Sequence, residues 1–172
     1  ELQEMVRMTD YHLTGEEFPF DFEDFVKSID EGRVVNTPNK GVWDKMVIDS
    51  TVERLFDKDA DIDMDHFVCF LKLPHWYKIP TPIGDYEPDW GLVMKRKSMR
   101  DGTEGEYYFV IETKGTNDLN DTKALKETEI LHIQYARKHF AKIGLDVHYE
   151  APIKEYATFR TKADQVIANK QR

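Results

Sequence analysis

Asp89, Glu112 and Lys114 are the residues of this chain whose types and spacing suit bond-breaking chemistry. Glu112-Thr113-Lys114 directly follows the apolar run Tyr107-Tyr108-Phe109-Val110-Ile111. Alternate residues of a strand point to the same side, so Glu112 and Lys114 share a face while Thr113 turns to the other. An antiparallel hairpin turning around residues 95–105 brings Asp89, the second residue of Pro88-Asp89, beside Glu112. Two carboxylates next to an ammonium suit a hard, oxygen-ligated ion such as Mg²⁺. Such an ion supports phosphodiester hydrolysis by aiding the attacking water, the charge at phosphorus and the leaving oxygen. Lys114 fits that scheme in either of two ways, by positioning or deprotonating the water or by stabilising charge on the phosphate. Glu-x-Lys on its own is equally an ordinary surface ion pair. Its place at the end of an apolar strand, just before Gly115, is what sets it apart.

Local patterns supply the elements that must hold these residues. Asp49-Ser50 reads as a helix start, with Glu53 completing a capping box and Val52, Leu55 and Phe56 on one face; the helix is expected to end before Asp61. His66-Phe67-Val68-Cys69-Phe70-Leu71 reads as a buried strand closed by Pro74. Pro80-Thr81-Pro82-Ile83-Gly84 excludes helix and leads into an extended segment over residues 86–94. The continuous apolarity of residues 107–111 predicts a central strand buried on both faces. A helix over residues 121–142 carries Leu125, Leu131, His132, Tyr135, Ala136, His139 and Phe140 on one stripe and stops at Gly144. Residues 146–149 read as a last strand, which makes that helix a crossover connection. Residues 1–41 are irregular and read as a lead-in partly packed on a domain formed by residues 42–172.

Composition bounds the function. With 172 residues, 40% of them hydrophobic, the chain suits one ordinary domain. Its 24 Lys and Arg against 33 Asp and Glu give a formal charge of −9, which argues against tight autonomous DNA binding. A phosphodiesterase domain is acidic without contradiction when its carboxylates hold metal and another region holds the DNA. Cys69 is the only cysteine, which excludes an intrachain disulfide and a multi-cysteine zinc site. No signal segment or membrane-length apolar run is present, and a start at Glu1 rather than Met points to a piece of a longer protein. Asp57, Asp59, Asp61, Asp63 and Asp65 alternate like a calcium loop. Ile62 and Val68 stand where that loop needs glycine and glutamate, so an acidic solvated loop is expected. Lys95, Arg96, Lys97 and Arg100 at the hairpin tip are candidate phosphate contacts, with an ordinary solvated turn as the alternative. His132 and His139 read as packed helix histidines, and no phosphate-loop motif for ATP is present.

Two blocks carry a family resemblance. Leu73-Pro74-His75-Trp76-Tyr77-Lys78-Ile79-Pro80-Thr81-Pro82-Ile83-Gly84-Asp85-Tyr86-Glu87-Pro88-Asp89-Trp90 and Tyr108-Phe109-Val110-Ile111-Glu112-Thr113-Lys114-Gly115 resemble the signature of the PD-(D/E)XK nucleases. Within them, the chain is most similar to the C-terminal endonuclease domain of type III restriction enzyme Res subunits, over about residues 49–149. The resemblance implies an α/β, restriction-endonuclease-like three-layer core with a mixed central sheet flanked by helices. It implies a Mg²⁺-dependent DNA endonuclease, with Mn²⁺ able to substitute, in the bacterial cytoplasm. It implies as partners double-stranded DNA, a helicase or translocase region of the same parent chain, and a modification methyltransferase subunit. It assigns catalysis to Asp89, Glu112 and Lys114, and metal binding to Asp89, Glu112 and the backbone carbonyl of Thr113. Glu53 looks like the family's acidic residue on the preceding helix, which the resemblance adds to the catalytic and metal-binding set, with helix capping as its alternative role. Glu129 on the rear helix matches the pattern, whereas His132 and Glu87 stand where lysine and asparagine are expected. The competing readings are a non-catalytic docking or DNA-binding module of the same fold and a stand-alone repair or restriction nuclease.

Overall fold

The computed structural model describes residues 34–36, 41, 45–61, 66–97, 104–143 and 146–170. Two short strands, β1 (Val34–Asn36) and β2 (Lys45–Val47), pair antiparallel. Helix α1 (Thr51–Asp61) follows, then strands β3 (Phe67–Lys72), β4 (Trp90–Lys97) and β5 (Glu104–Thr113), helix α2 (Glu127–Lys142), strand β6 (Val147–Ile153) and helix α3 (Tyr156–Lys170). The main sheet runs β3-β4-β5-β6. Its first two pairings are antiparallel and the β5–β6 pairing is parallel, so the sheet is mixed and α2 is the crossover.

Side-chain alternation along β5 divides the core into two layers. Phe109 and Ile111 face one side, where they pack with Trp90 and Leu92 of β4, Phe56 and Ala60 of α1, and Phe159 and Ala163 of α3. Val110 faces the other, beneath Leu131, Tyr135, Ala136 and Phe140 of α2. Helices therefore cover both faces, and the expected three-layer α/β architecture is the one found.

Several expectations are corrected in detail. The buried stripe of α1 is Glu53, Phe56 and Ala60, while Leu55 is 55% exposed; the helix also runs through Asp61, so part of the expected acidic loop is helical. Asp63 and Asp65 lie outside the described residues. Strand β3 extends one residue past Leu71, which places Lys72 inside the sheet. Burial on both faces of β5 holds for Phe109, Val110 and Ile111 but not for Tyr108, which is 42% exposed and donates its hydroxyl to Glu106.

Helix α2 begins at Glu127 rather than near Asp121. Asp121 closes a turn of its own by accepting the N–H groups of Lys123 and Ala124, and Lys126 is then extended, at φ −73° and ψ 153°. Gly144, expected to stop α2, lies outside the described residues, as does most of the lead-in. Helix α3 was not expected at all. Its buried Tyr156, Phe159, Ala163 and Ile167 recur at helical spacing, and the helix closes the layer begun by α1.

Phe159 is fully buried, with its ring against those of Phe56, Phe109 and Tyr156. Phe159→Ala is expected to lower unfolding free energy by about 3–5 kcal/mol, seen as a lower urea midpoint at unchanged slope. A wild-type midpoint would remove α3 from the core.

Candidate active site

Antiparallel pairing of β4 with β5 sets Trp90 opposite Ile111, and the Asp89 N–H donates to the Ile111 carbonyl at 3.1 Å. Asp89 thus stands at the start of β4 beside the Glu112 end of β5. Two helix starts converge on the same end of the sheet, one from each face.

The first is α1. The Glu53 N–H donates to Ser50 Oγ at 3.2 Å, while Glu53 accepts the Asp49 N–H at 3.1 Å and the Ser50 hydroxyl at 3.2 Å, which makes it part of the helix cap. The same carboxylate pairs through Oε2 with Lys72 Nζ at 2.7 Å. Lys72 pairs in turn with Asp89 Oδ1 at 3.1 Å and lies 5.2 Å from the Trp90 ring centre. Asp89 Oδ2 accepts both the backbone N–H of Thr113, at 2.7 Å, and the Thr113 hydroxyl. Glu53 thus serves the helix cap and pairs with Lys72 through one carboxylate.

The second is α2. Glu129 stands at the third position of the helix and accepts the Lys126 N–H at 2.9 Å. Its other oxygen pairs with Lys114 Nζ at 2.8 Å, and Lys114 also pairs with Glu112 Oε1 at 2.9 Å. Glu112 Oε2 accepts the Tyr86 hydroxyl at 2.8 Å, and Tyr86 shares a second hydrogen bond with the Tyr149 hydroxyl. A cavity of about 210 Å³ opens here, lined by Asp85, Glu87, Glu112, Lys114, Glu129 and His132.

The electrostatics follow from burial and charge. Glu112 is 4% exposed, and its carboxyl is pushed up to about 8 by desolvation and by the Asp89 charge, against the opposing pull of Lys114 and Tyr86. Burial works against the Lys72 ammonium, yet Asp89 and Glu53 outweigh it and hold it above the ordinary lysine range. Lys114 is treated the same way by Glu112 and Glu129. The Tyr86 hydroxyl is held well above the usual tyrosine range by burial and by the Glu112 charge.

The structure brings Asp89, Glu112, Thr113, Lys114 and Glu53 together at one sheet end. Asp89 directs its oxygens at Lys72 and Thr113, and Glu112 directs its own at Lys114 and Tyr86. Lys95 and Arg96 lie elsewhere. At about 3.3 Å per residue they stand roughly 20 Å along β4 from Asp89, paired with Glu106 at 3.8 Å and Asp164 at 3.6 Å respectively. Arg100 and the Lys97 side chain are outside the described residues. His132 sits with its ring 5.6 Å from that of Tyr86, and burial lowers its pKa. Lys72, Tyr86 and Tyr149 are site residues to which the sequence assigned no role. Lys72 carried a usable signal, since it ends an apolar strand as Glu112 nearly ends β5.

Among the described residues no three His, Cys, Asp or Glu side chains gather into a ready metal cage. The donor chemistry nevertheless fits a hard cation. Four carboxylates face two ammonium groups, so the fully ionised set carries two excess negative charges, which one divalent ion cancels. Asp89 and Glu112 are the strand-end carboxylates that would hold it, in exchange for present contacts such as those with Lys72 and Lys114.

This α/β/α architecture is that of the restriction-endonuclease-like nucleases. A family model described as an endonuclease domain matches residues 39–156, and the chain belongs to that family. No curated protein and no solved structure matches the chain. No described helix is long and apolar enough to cross a membrane.

The raised Glu112 carboxyl sets a pH dependence. Between its ordinary 4.5 and about 8 the folded chain binds the proton that the unfolded chain has released, so this contribution to stability is full at the acid end and is lost as pH rises through about 8. Urea midpoints of the metal-free chain measured across that range are expected to fall with pH, and Glu112→Gln is expected to flatten the slope. An unchanged slope in Glu112→Gln would assign the dependence to another group.

Proposed function

We propose that this chain is a Mg²⁺-dependent endonuclease that hydrolyses DNA phosphodiester bonds, and that it is the cleavage domain of a type III restriction enzyme. The observation that carries this reading is the convergence of Asp89, Glu112 and Lys114 at one sheet end in a chain of the endonuclease-domain family. Asp89, Glu112 and the Thr113 backbone carbonyl would hold the metal, and Glu53 is assigned to anchoring Lys72. When bound, Mg²⁺ relieves charge at the phosphorus and assists the attacking water and the leaving oxygen; Mn²⁺ supplies the same chemistry.

The chain's own residues do the rest. Lys114, charged between Glu112 and Glu129 in the metal-free chain, presents an ammonium that orients the water or donates to a phosphate oxygen. Tyr86 fixes the Glu112 carboxylate, and Thr113 fixes that of Asp89. The cavity beside them gives Lys114 access to solvent, since its side chain is 24% exposed.

The acidic balance of −9 supports the partner assignment. Grip on double-stranded DNA comes from a helicase or translocase region of the parent chain, with a modification methyltransferase subunit in the assembly and the bacterial cytoplasm as its setting. A second reading, a non-catalytic docking module, is favoured by one observation, namely that both strand carboxylates already have internal partners.

Plasmid incubated with the chain and Mg²⁺ or Mn²⁺ separates the two. Cleavage by wild type that falls by about a hundredfold or more in Lys114→Ala is expected, the loss typical of a charge-stabilising donor. Equal cleavage by both proteins would defeat the mechanism, and absence of cleavage by wild type would favour docking.

A further inference from the structure

Lys72 is the charged side chain most deeply set in this cluster after Glu112 and Glu53. It is 9% exposed and occupies a built seat: Glu53 Oε2 at 2.7 Å, Asp89 Oδ1 at 3.1 Å and the face of the fully buried Trp90 at 5.2 Å. A buried ammonium without partners is strongly disfavoured, so Glu53 and Asp89 are what keep it there. The two oxygens of Asp89 are not equivalent. Oδ2 is tied to a strand N–H and to the Thr113 hydroxyl, whereas Oδ1 is met by the end of a flexible side chain.

We propose that Lys72 is an internal counter-cation that competes with the divalent metal for Asp89, so that metal loading moves its ammonium off Asp89 Oδ1 and back onto Glu53 and Trp90. The inference rests on the reading above that Asp89 holds metal. A divalent ion at Asp89 and an ammonium 3.1 Å from the same oxygen repel one another, and the weaker attachment yields. Lys72 has somewhere to go. Its contact with Glu53 is the shorter of its two ion pairs, and the Trp90 ring offers a cation–π surface. Glu53 is tethered by the α1 cap, so it stays in place to receive the displaced charge. Lys72 is thus a positioning residue: it keeps the metal-free site folded and charge-compensated, and weakens metal binding by the cost of its displacement.

Calorimetric titration of Mn²⁺ into wild type, Lys72→Met and Lys72→Arg tests this. Lys72→Met is expected to bind Mn²⁺ about tenfold or more tighter, with a lower thermal midpoint without metal that Mn²⁺ restores; Lys72→Arg, which keeps the charge, is expected to stay near wild type. A purely structural role predicts the opposite sign, because carboxylates released from Lys72 would hold metal less well. Equal or weaker binding in Lys72→Met overturns the proposal while leaving the metal reading intact, and no Mn²⁺ binding by any of the proteins overturns both. If Lys72→Met does not fold, the double variant Glu53→Gln/Lys72→Met is compared with Glu53→Gln alone. Tighter binding by the double variant supports the proposal and weaker or equal binding overturns it.

Discussion

Two lysines, each clamped between a glutamate of a helix start and a carboxylate of the sheet end, hold this structure's functional end together. On one face Lys72 joins Glu53 to Asp89, and on the other Lys114 joins Glu129 to Glu112. Both glutamates occupy the third position of their helix, where each also accepts a backbone N–H near the helix start. Negative charge there is further favoured by the helix dipole. Each clamp therefore fixes the direction of a helix, the end of a strand and the orientation of a carboxylate at once. Breaking the buried Lys72–Glu53 pair by deleting one partner is expected to cost about 3–5 kcal/mol, because a charge is left uncompensated.

The rest of the fold follows from where these clamps must stand. The β4–β5 hairpin sets Asp89 beside the end of β5, and alternation along β5 sends Glu112 toward α2 while Ile111 packs toward α1 and α3. Apolar layers on both faces exclude water from the sheet and desolvate Glu112 and Glu53, while the cavity at the sheet end leaves Lys114 and Glu129 partly exposed. Burial and the neighbouring Asp89 charge raise the Glu112 carboxyl, at an edge where four carboxyl groups stand against two ammonium groups. A divalent cation is the chemistry that answers such an excess.

Much of this was legible in the residues. The continuous apolarity of Tyr107-Tyr108-Phe109-Val110-Ile111 located the central strand, and the two-residue period of a strand put Glu112 and Lys114 on one side of it. Ser50 and Glu53 marked a helix start that the structure forms. Other features were hidden for physical reasons. The early start read for α2 missed the Asp121 turn, a side chain satisfying backbone groups in competition with the helix. The pairing of Lys72 with Glu53 and Asp89 depends on strand register, which sequence spacing does not specify. Tyr86 and Tyr149 meet across 63 residues of chain, a contact that tertiary packing alone creates. Helix α3 was readable, since its apolar positions keep the helical period.

The central claim is that Asp89 and its neighbours hold a divalent metal for phosphodiester cleavage. Magnesium titrated into wild type and Asp89→Asn, followed by calorimetry, tests it most directly, because the substitution keeps the shape of the side chain and removes its charge. The account predicts saturable binding by wild type that Asp89→Asn loses; identical binding by the two proteins, or none by wild type, would contradict it.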